Sequence, residues 1–374
     1  MAVSMAIYKM HASAEEDQLK AVSLDIGAGT VDFLLYEDNK PIENCIKMVL
    51  PSPQKALAAQ IRENTKKGFP VFLDGYTIGG GSLTGAIKKH IQKGYPVHMT
   101  SEAAYSIRNN LTEVKEMNVN IVCEKPADFH GDTIFLDEVR LKSYETLLQC
   151  FAETVQDVDA VLISVKDHGA PPKGGSNRVF RINKYKELLS KNNDLNSFLL
   201  HEDQVPSYFI RMKSAVRASK AFLQDVDVYL MDTSISSLVG CLSDYRVEGR
   251  DPVLVVNVGN GHTIAAVISS NRVLGFFEHH TGRLTGDKLV RLMRRLCEGT
   301  LTNEEVYSDG GHGAAFFGDM PGFSLIDVVA VTGPRRGLLL NSGIEYLKAA
   351  PGGDVMMTGT IGLVRSFYKR IHIV

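Results

Sequence analysis

The chain has 374 residues, with 41 Lys and Arg against 43 Asp and Glu, which gives a formal net charge of −2 at pH 7. This near-neutral balance argues against a nucleic-acid polymer or an anionic membrane as the partner, because both select for basic surfaces. The length is sufficient for two or three domains with buried cores. Glycine is enriched, at 33 residues where about 26 are expected from average usage.

The chain contains five scattered cysteines: Cys45, Cys123, Cys150, Cys241 and Cys297. No two of them form a C-x-x-C motif, so the spacing predicts no zinc knuckle, redox pair or iron–sulfur cradle. We expect reduced cysteines in the core of a cytoplasmic protein. Residues 1–20 carry several charges and do not resemble a signal peptide, and no apolar run approaches the length of about 18 residues that spans a membrane.

Short apolar strands alternate with amphipathic helices, which predicts an α/β protein. The predicted strands are Ala21–Ile26, Val31–Tyr36, Val71–Leu73, Ala160–Val165, Val253–Val258, Ile264–Ile268 and Val328–Val331. Helical spacing of apolar residues predicts helices over 144–155 and 289–296. Ligand sites in open α/β sheets lie beyond the carboxyl ends of strands, and several of these strands end in glycine or turn residues.

A repeat at an offset of 232 residues is the strongest signal of organisation. The segment Ser23–Thr30 recurs as Val255–His262, and each copy lies between two predicted strands. The duplication predicts two similar lobes around one cleft, which we place at residues 20–225 and 226–374.

The first copy of the repeat has the chemistry of a phosphate-binding turn. Gly27 and Gly29 let the backbone approach an anion, successive N–H groups form an anion-binding concavity, and the Thr30 hydroxyl adds a donor. Asp25, at the end of the strand, is placed to hold Mg²⁺ through water. A dinucleotide fingerprint is excluded because the turn runs into a strand, and a Walker A loop is excluded because the chain has no Gly-Lys dipeptide.

These motifs resemble the actin, sugar-kinase and heat-shock-chaperone ATPase superfamily, whose two lobes hold ATP between them. The resembling segments are residues 25–32 and 257–263 for the two phosphate loops, 232–240 for the connecting helix, 328–336 for the adenosine loop and 353–362 for a closing strand–glycine–helix element. The resemblance implies a duplicated ribonuclease-H-like (actin-like ATPase) α/β fold with a central cleft, and ATP and Mg²⁺ as cofactors.

The same resemblance implies a set of cofactor-binding residues: Gly27, Ala28, Gly29, Thr30, Asn257, Gly259, Asn260, Gly261, His262, Thr263, Thr332, Gly333, Pro334 and Arg335. Asp25 is then both the metal ligand and a catalytic residue. Asn257 departs from the superfamily, since many members have an acidic residue at that place. Because an amide carries no charge, Asn257 favours weak Mg²⁺ binding and slow hydrolysis or regulatory binding of the nucleotide.

A narrower resemblance comes from four short runs, at residues 25–30, 278–281, 310–313 and 331–336. They are similar to an uncharacterised prokaryotic family that is sometimes labelled pyruvate formate-lyase activating enzyme. Genuine activating enzymes are radical S-adenosylmethionine proteins that need a C-x-x-x-C-x-x-C loop, which this chain lacks. The label therefore does not predict the chemistry.

Asp167 and His168 are further catalytic candidates, because they follow the predicted strand Ala160–Val165. Either could orient an attacking water or accept a substrate proton. An ordinary surface loop explains the same residues equally well.

An acidic residue and three histidines suggest a metal site: Glu278, His279, His280 and His312. Adjacent residues of a strand point to opposite faces, so His279 and His280 are not expected to share one ion. Hydrogen-bonded structural histidines are the favoured interpretation, and the role of these four residues stays open.

We therefore expect an ATPase or phosphotransferase that binds a nucleotide and an unknown small-molecule or protein partner. The alternative is a nucleotide-gated scaffold or protein-maturation factor with little turnover, which Asn257 and the lack of a sugar-binding motif favour. An oligomer is compatible with either function.

Overall fold

The computed structural model describes residues 18–172 and 174–372. The strands within this part of the chain are β1 (Lys20–Ile26), β2 (Thr30–Glu37), β3 (Ile46–Pro51), β4 (Val71–Gly75), β5 (Val97–Thr100), β6 (Asn120–Val122), β7 (Asp132–Leu136), β8 (Ala160–Val165), β9 (Leu200–His201), β10 (Asp227–Met231), β11 (Val253–Val258), β12 (His262–Ser269), β13 (Arg272–His280), β14 (Gly313–Phe316), β15 (Val328–Thr332) and β16 (Leu347–Lys348).

The α-helices in the same residues are α1 (Pro53–Lys67), α2 (Gly81–Gln92), α3 (Ser101–Ala104), α4 (Leu111–Glu116), α5 (Leu141–Gln149), α6 (Asn177–Lys191), α7 (Ile210–Lys220), α8 (Thr233–Leu242), α9 (Gly286–Cys297), α10 (Asn303–Ser308) and α11 (Thr358–Ile371). None of these helices is long and apolar enough to span a membrane.

Two six-stranded sheets repeat one connectivity. The first has the order β3-β2-β1-β8-β10-β9 and the second the order β14-β13-β12-β11-β15-β16. In each sheet a central strand, β1 or β11, pairs antiparallel with the next strand and parallel with a later one, β8 or β15. The strands β3-β2-β1-β8-β10 thus correspond to β13-β12-β11-β15-β16, which is the ribonuclease-H-like order. The predicted duplicated α/β fold is confirmed.

The central strands are buried on both faces, which explains their nearly continuous apolar sequences. One face of each sheet contributes to a shared core that also contains apolar side chains of α8 and α11. The other face of each sheet packs into a core of its own. Within β1 and β11 the equivalent residues Asp25 and Asn257 are only half-buried. The two lobes therefore present a polar side chain at the same position.

Helices α8 and α11 cross with their backbones in contact. A Cβ atom on Gly240 would meet the carbonyl oxygen of Thr358, and one on Gly362 would meet that of Ser236. Only glycine allows this approach. The first turn of α11 also contacts the first lobe, because Gly359 lies against the Asp25 carboxylate.

A separate sheet of four parallel strands, in the order β6-β5-β4-β7, is inserted between β3 and β8. Helices α1 and α2 contribute Leu57, Ile61 and Leu83 to its core. The predicted strand Val71–Leu73 lies in this sheet, whose other strands the sequence patterns did not reveal. The glycine-rich segment 79–81 leads from it into α2 at the cleft.

The division between the two lobes at residue 226 remains a prediction from the sequence. The strand β10, which begins at Asp227, belongs to the first sheet. The last helix, α11, contacts β1 and β8 of that sheet as well as α8.

Three local predictions were wrong. The helix predicted over 144–155 ends at Gln149, and Phe151 is exposed where the chain turns away into a positive-φ residue at position 152. The strand predicted before α11 is a 3-10 turn, because the Asp354 carboxylate accepts a hydrogen bond from the Met356 N–H group. Cys123 and Cys150 are exposed rather than buried in the core.

Candidate functional site

A cleft of about 660 Å³ lies between the two lobes. Most of the predicted site residues line it: Asp25, Gly27, Ala28, Thr30, Asp167, His168, Asn257, Gly259, Asn260, Gly261, His262, Thr332, Gly333 and Pro334. The carboxyl ends of β1, β8, β11 and β15 converge there, as expected for a ligand site in α/β sheets.

The two glycine hairpins have the same turn. The Gly27 N–H donates to the Thr30 carbonyl oxygen at 2.9 Å, and the Gly259 N–H donates to the His262 carbonyl oxygen at 3.0 Å. The repeat seen in the sequence is thus a repeat of backbone geometry.

The tips of the hairpins meet across the cleft. A Cβ atom on Gly29 would collide with the Asn260 side chain, and one on Gly261 would lie 3.7 Å from the Ala28 Cβ. Gly29 therefore contacts the other lobe instead of lining the cavity. Thr263 also turns away from the cleft, since its buried hydroxyl lies 3.0 Å from that of Thr281.

An acidic pair lies beside the first hairpin. Asp25 and Asp32 are directly opposite each other in β1 and β2, so their side chains share one face of the sheet, and both line the cleft. The Ser164 hydroxyl donates to Asp25 Oδ1 at 2.6 Å. Oδ1 of Asp32 is buried and has no hydrogen-bond partner among the described residues.

Both carboxyl groups titrate far above their ordinary range. Burial raises the pKa of Asp25 to about 7, although the hydrogen bond from Ser164 opposes the shift. Burial and then repulsion from Asp25 raise the pKa of Asp32 to about 8. Two close carboxylates need a counter-cation to ionise together, and Mg²⁺ prefers such oxygen ligands. The residues therefore fit Mg²⁺.

Asp32 is absent from the site residues expected from the sequence. It lies inside the first phosphate-loop motif, and strand pairing across a tight hairpin could have placed it opposite Asp25.

A smaller cavity of about 280 Å³ adjoins the cleft at the predicted adenosine loop. Gly333 and Pro334 line both cavities, and Gly333 has a positive φ of 95° where it packs against Asn257. Arg335, expected to contact the nucleotide, lines neither cavity. Its neighbour Arg336 lines the smaller one, and Nη1 of Arg336 is buried with no hydrogen-bond partner in the described part of the chain.

Asp167 is buried, and backbone donors occupy its carboxylate. It accepts hydrogen bonds from the N–H groups of Gly169 at 2.8 Å, Arg211 at 2.9 Å and Met212 at 3.1 Å. Two of these donors belong to the first turn of α7, whose N–H groups have no partner within the helix. Burial raises the pKa of Asp167 even though these bonds oppose the shift. The contacts give Asp167 a structural role at the edge of the cleft.

A buried ion-pair network connects the lobes behind the cleft. Arg181 of α6 donates to both carboxylate oxygens of Asp232, at 2.6 and 2.7 Å, and to Glu278 Oε2 at 2.7 Å. Lys166 Nζ forms an ion pair with Glu278 as well. Burial alone would raise the pKa of Glu278, but Arg181 and Lys166 hold that pKa well below its usual range. Two cations of the first lobe thus neutralise two carboxylates, one at the start of α8 and one in β13 of the second sheet.

Four histidines gather next to this network: His168, His262, His280 and His312. Nε2 of His168 lies 3.1 Å from Nε2 of His312. The ring centre of His262 is 4.9 Å from that of His312 and 4.7 Å from that of His280. Burial lowers the pKa of His168 to about 3 and of His312 to about 2, so these rings are neutral.

His279 does not belong to this group. Its Nε2 lies 3.0 Å from the Asp309 carboxylate, on the opposite face of β13 from His280. The two adjacent histidines therefore have separate partners, and it is the distant residues 168, 262 and 312 that come together.

The solved structures that are similar to this chain include those of two sugar kinases. A ROK hexokinase from Thermus thermophilus has 12% identity and a TM-score of 0.32, over 94% of this chain and 100% of that chain. An inorganic polyphosphate/ATP-glucomannokinase from Arthrobacter has 10% identity and a TM-score of 0.35, over 94% of this chain and 99% of that chain. Because these values are low, the fold assignment depends on the sheet order. No curated protein has detectable sequence similarity to the chain.

The duplicated sheet order, with two glycine hairpins at one cleft, is the arrangement that the resemblance to the actin, sugar-kinase and heat-shock-chaperone ATPase superfamily predicts. More than half of the chain, residues 78–338, also matches the model of a single protein family. The chain belongs to the family described as "Putative pyruvate format-lyase activating enzyme (DUF1786)".

Proposed function

We propose that the protein binds ATP with Mg²⁺ in the cleft and acts as an ATPase or phosphotransferase. The observation that supports this most strongly is that two hairpins of equal geometry face one cavity while an acidic pair lies beside the first. Backbone N–H groups of both turns would contact the phosphates. The adenosine would occupy the smaller cavity at Gly333 and Arg336.

Asp25 and Asp32 would hold the magnesium ion, with Ser164 orienting Asp25. When bound, Mg²⁺ stabilises negative charge on the transferred phosphoryl group. His168, which lines the cleft beyond β8, would orient the attacking water or the acceptor hydroxyl, because burial lowers its pKa to about 3 and makes the neutral ring a weak proton acceptor. Asp167 would keep α7 and Arg211 in place at the same edge of the cleft.

The acceptor would enter from the side of the inserted sheet. Gly79, Gly80 and Asn109 line that wall of the cleft. Arg211 forms a buried pair with Glu138, whose carboxylate also accepts the Gly79 N–H at 3.0 Å. These polar contacts would hold the glycine-rich segment against the acceptor.

A label of radical activating enzyme receives no support from the cysteines. All five are free, and Cys45, Cys241 and Cys297 are buried in the core. A cluster loop needs three closely spaced cysteines, which the sequence does not contain.

The first test removes one carboxylate charge. We expect Asp25→Asn and Asp32→Asn each to lower MgATP affinity or turnover about a hundredfold, because preorganised charge at the phosphates is lost. Asp38→Asn, at the exposed end of the same hairpin, is the matched control and should leave both unchanged. Isothermal titration and ADP release measure the effects. Wild-type binding and hydrolysis in Asp25→Asn would show that the assignment is wrong.

A second candidate function is a nucleotide-gated scaffold or maturation factor with little turnover. Asn257 favours it, since the second hairpin places an uncharged amide where the first places Asp25. Single- against multiple-turnover assays distinguish the two functions. A bound ATP that is retained, with no ADP released over many equivalents, would support the scaffold.

A further inference from the structure

We propose that His168, His262 and His312 form a binding site for one divalent transition-metal ion of the Zn²⁺ class. One ring nitrogen of each histidine lies within 4.8 Å of those of the other two. This site would be separate from the magnesium site proposed at Asp25 and Asp32.

The spacing of the ring nitrogens is close to that of a metal centre. Zinc–nitrogen bonds of about 2.0–2.1 Å in tetrahedral geometry place two ligand nitrogens about 3.3–3.4 Å apart. The Nε2 atoms of His168 and His312 are 3.1 Å apart. A small movement of the rings would admit an ion between them.

One nitrogen of the group has no hydrogen-bond partner in the described residues. Nε2 of His262 is buried and makes no hydrogen bond there. Buried polar atoms normally have a partner, so this nitrogen is available to bind an ion.

His312 has the arrangement of a metal-binding imidazole. Its Nε2 faces His168, while its Nδ1 lies 3.6 Å from Glu278 Oε2. Metal-ligating histidines usually direct their second nitrogen to a carboxylate, which fixes the ring and raises its basicity. Glu278 is itself held by Arg181 and Lys166, so the carboxylate cannot turn away.

The donor chemistry selects the class of metal. Imidazole nitrogens suit Zn²⁺, Fe²⁺, Ni²⁺ and Cu²⁺, whereas Mg²⁺ takes oxygen ligands. The nearest cations, Lys166 and Arg181, are paired with Glu278 and Asp232, so their charges are compensated.

The site would have an open coordination position. His168 and His262 line the cleft, whereas His312 lies behind them. Three protein ligands with one face toward solvent are typical of catalytic rather than structural zinc. The fourth position would take water or an anionic oxygen from a ligand in the cleft. His168 follows β8 of the first sheet, whereas His262 begins β12 and His312 precedes β14 of the second sheet, so the ion would connect the two lobes.

The test is metal titration of chelator-treated protein with Zn²⁺ and with Co²⁺ as the spectroscopic probe. We expect one tight equivalent per chain, visible as the strong d–d absorption of a low-coordinate Co²⁺ centre. His312→Gln and His262→Gln should each weaken the binding of Zn²⁺ by at least about tenfold. His98→Gln is the matched control, because His98 lies in the inserted sheet against Phe129, outside the cluster. Asp25→Asn should bind Zn²⁺ as wild type does, which separates this result from failure of the magnesium assignment.

X-ray absorption of the metal-loaded wild type keeps the test decisive if a variant fails to fold. We expect about three imidazole nitrogens at 2.0–2.1 Å. An oxygen-only shell, the absence of a bound equivalent in wild type, or unchanged affinity in folded His312→Gln would each overturn the proposal.

Discussion

The two hairpins at the cleft have the same backbone and opposite chemistry. In the first, Asp25 and Asp32 face each other, whereas the second has Asn257 and the buried Ile264 at the equivalent positions. Thr30 of the first turn corresponds to His262 of the second. The acidic side of the cleft suits a hard cation, and the imidazole side suits a borderline one.

This difference teaches that duplication preserves the turn and leaves the charges free to diverge. The N–H to carbonyl bond that closes each hairpin involves only backbone atoms. The second lobe is neutral at the cleft for a further reason, since Glu278 of β13 is neutralised by cations from the first lobe. The predictions below test how far the two sides depend on one another.

The largest effect is expected where the first lobe neutralises the second. Arg181→Leu would leave Asp232 and Glu278 as buried carboxylates with only Lys166 opposite them, which should lower the free energy of unfolding by about 3–5 kcal/mol. Arg365→Leu removes a partly exposed pair with Glu248 and should cost about 1 kcal/mol or less. Urea unfolding measures both. Equal losses in the two variants would mean that the network does not neutralise the second lobe.

The next effect is a pH dependence of opposite sign on the two sides, in metal-free protein. The folded-state pKa values of Asp25 and Asp32, about 7 and 8, lie above the ordinary 3.8, so their contribution is complete below about pH 4 and is lost as the pH rises toward 8. Those of His168 and His312, about 3 and 2, lie below 6.5, so their contribution is present above pH 6.5 and is lost as the pH falls.

The free energy of unfolding, measured by urea titration in chelator between pH 5 and 8, checks this prediction. Asp25→Asn should reduce the loss of stability toward pH 8, and His312→Gln should reduce the loss of stability toward pH 5, each by a few kcal/mol. Mg²⁺ should stabilise the wild type more at pH 8 than at pH 6. If one variant removed both the loss of stability toward pH 8 and the loss toward pH 5, the two sides of the cleft would not titrate independently.

The smallest effect concerns the contact between the hairpin tips. Gly29→Ala would displace the exposed Asn260 side chain and should lower the free energy of unfolding by about 1 kcal/mol, at the low end of the cost of overpacking. Gly261→Ala meets only the Ala28 Cβ, at an ordinary contact distance of 3.7 Å, and should be nearly neutral. Thermal unfolding compares the two. A larger loss in Gly261→Ala would show that the tips meet differently.

Much of the fold could be predicted because the strands are strongly apolar and the motif is duplicated. Ala160–Val165 and Val253–Val258 begin and end where their patterns indicate. Most of the inserted sheet could not be predicted, since strands as short as Asn120–Val122 have too few residues to show an alternating pattern. The exposed Phe151 shows the opposite error, in which apolar residues at helical spacing continue beyond the end of a helix.

The candidate site was predictable only where its residues are close in sequence. Both hairpins could be recognised as continuous motifs. His262 begins β12, whereas His168 follows β8 and His312 precedes β14, and only the fold brings the three residues together. Arg181 has no local signal either, because an arginine in a helix is ordinary until Asp232 and Glu278 are known to surround it.

The crossing of α8 and α11 has a consequence for how the lobes can move. At Gly240 and Gly362 a hydrogen atom faces a backbone oxygen, so at these two positions no side chain has to move when one helix turns against the other. The backbones set the spacing of the two helix axes at this point of the crossing. Any residue larger than glycine at these two positions would increase the separation of the axes, and the width of the cleft would change with it.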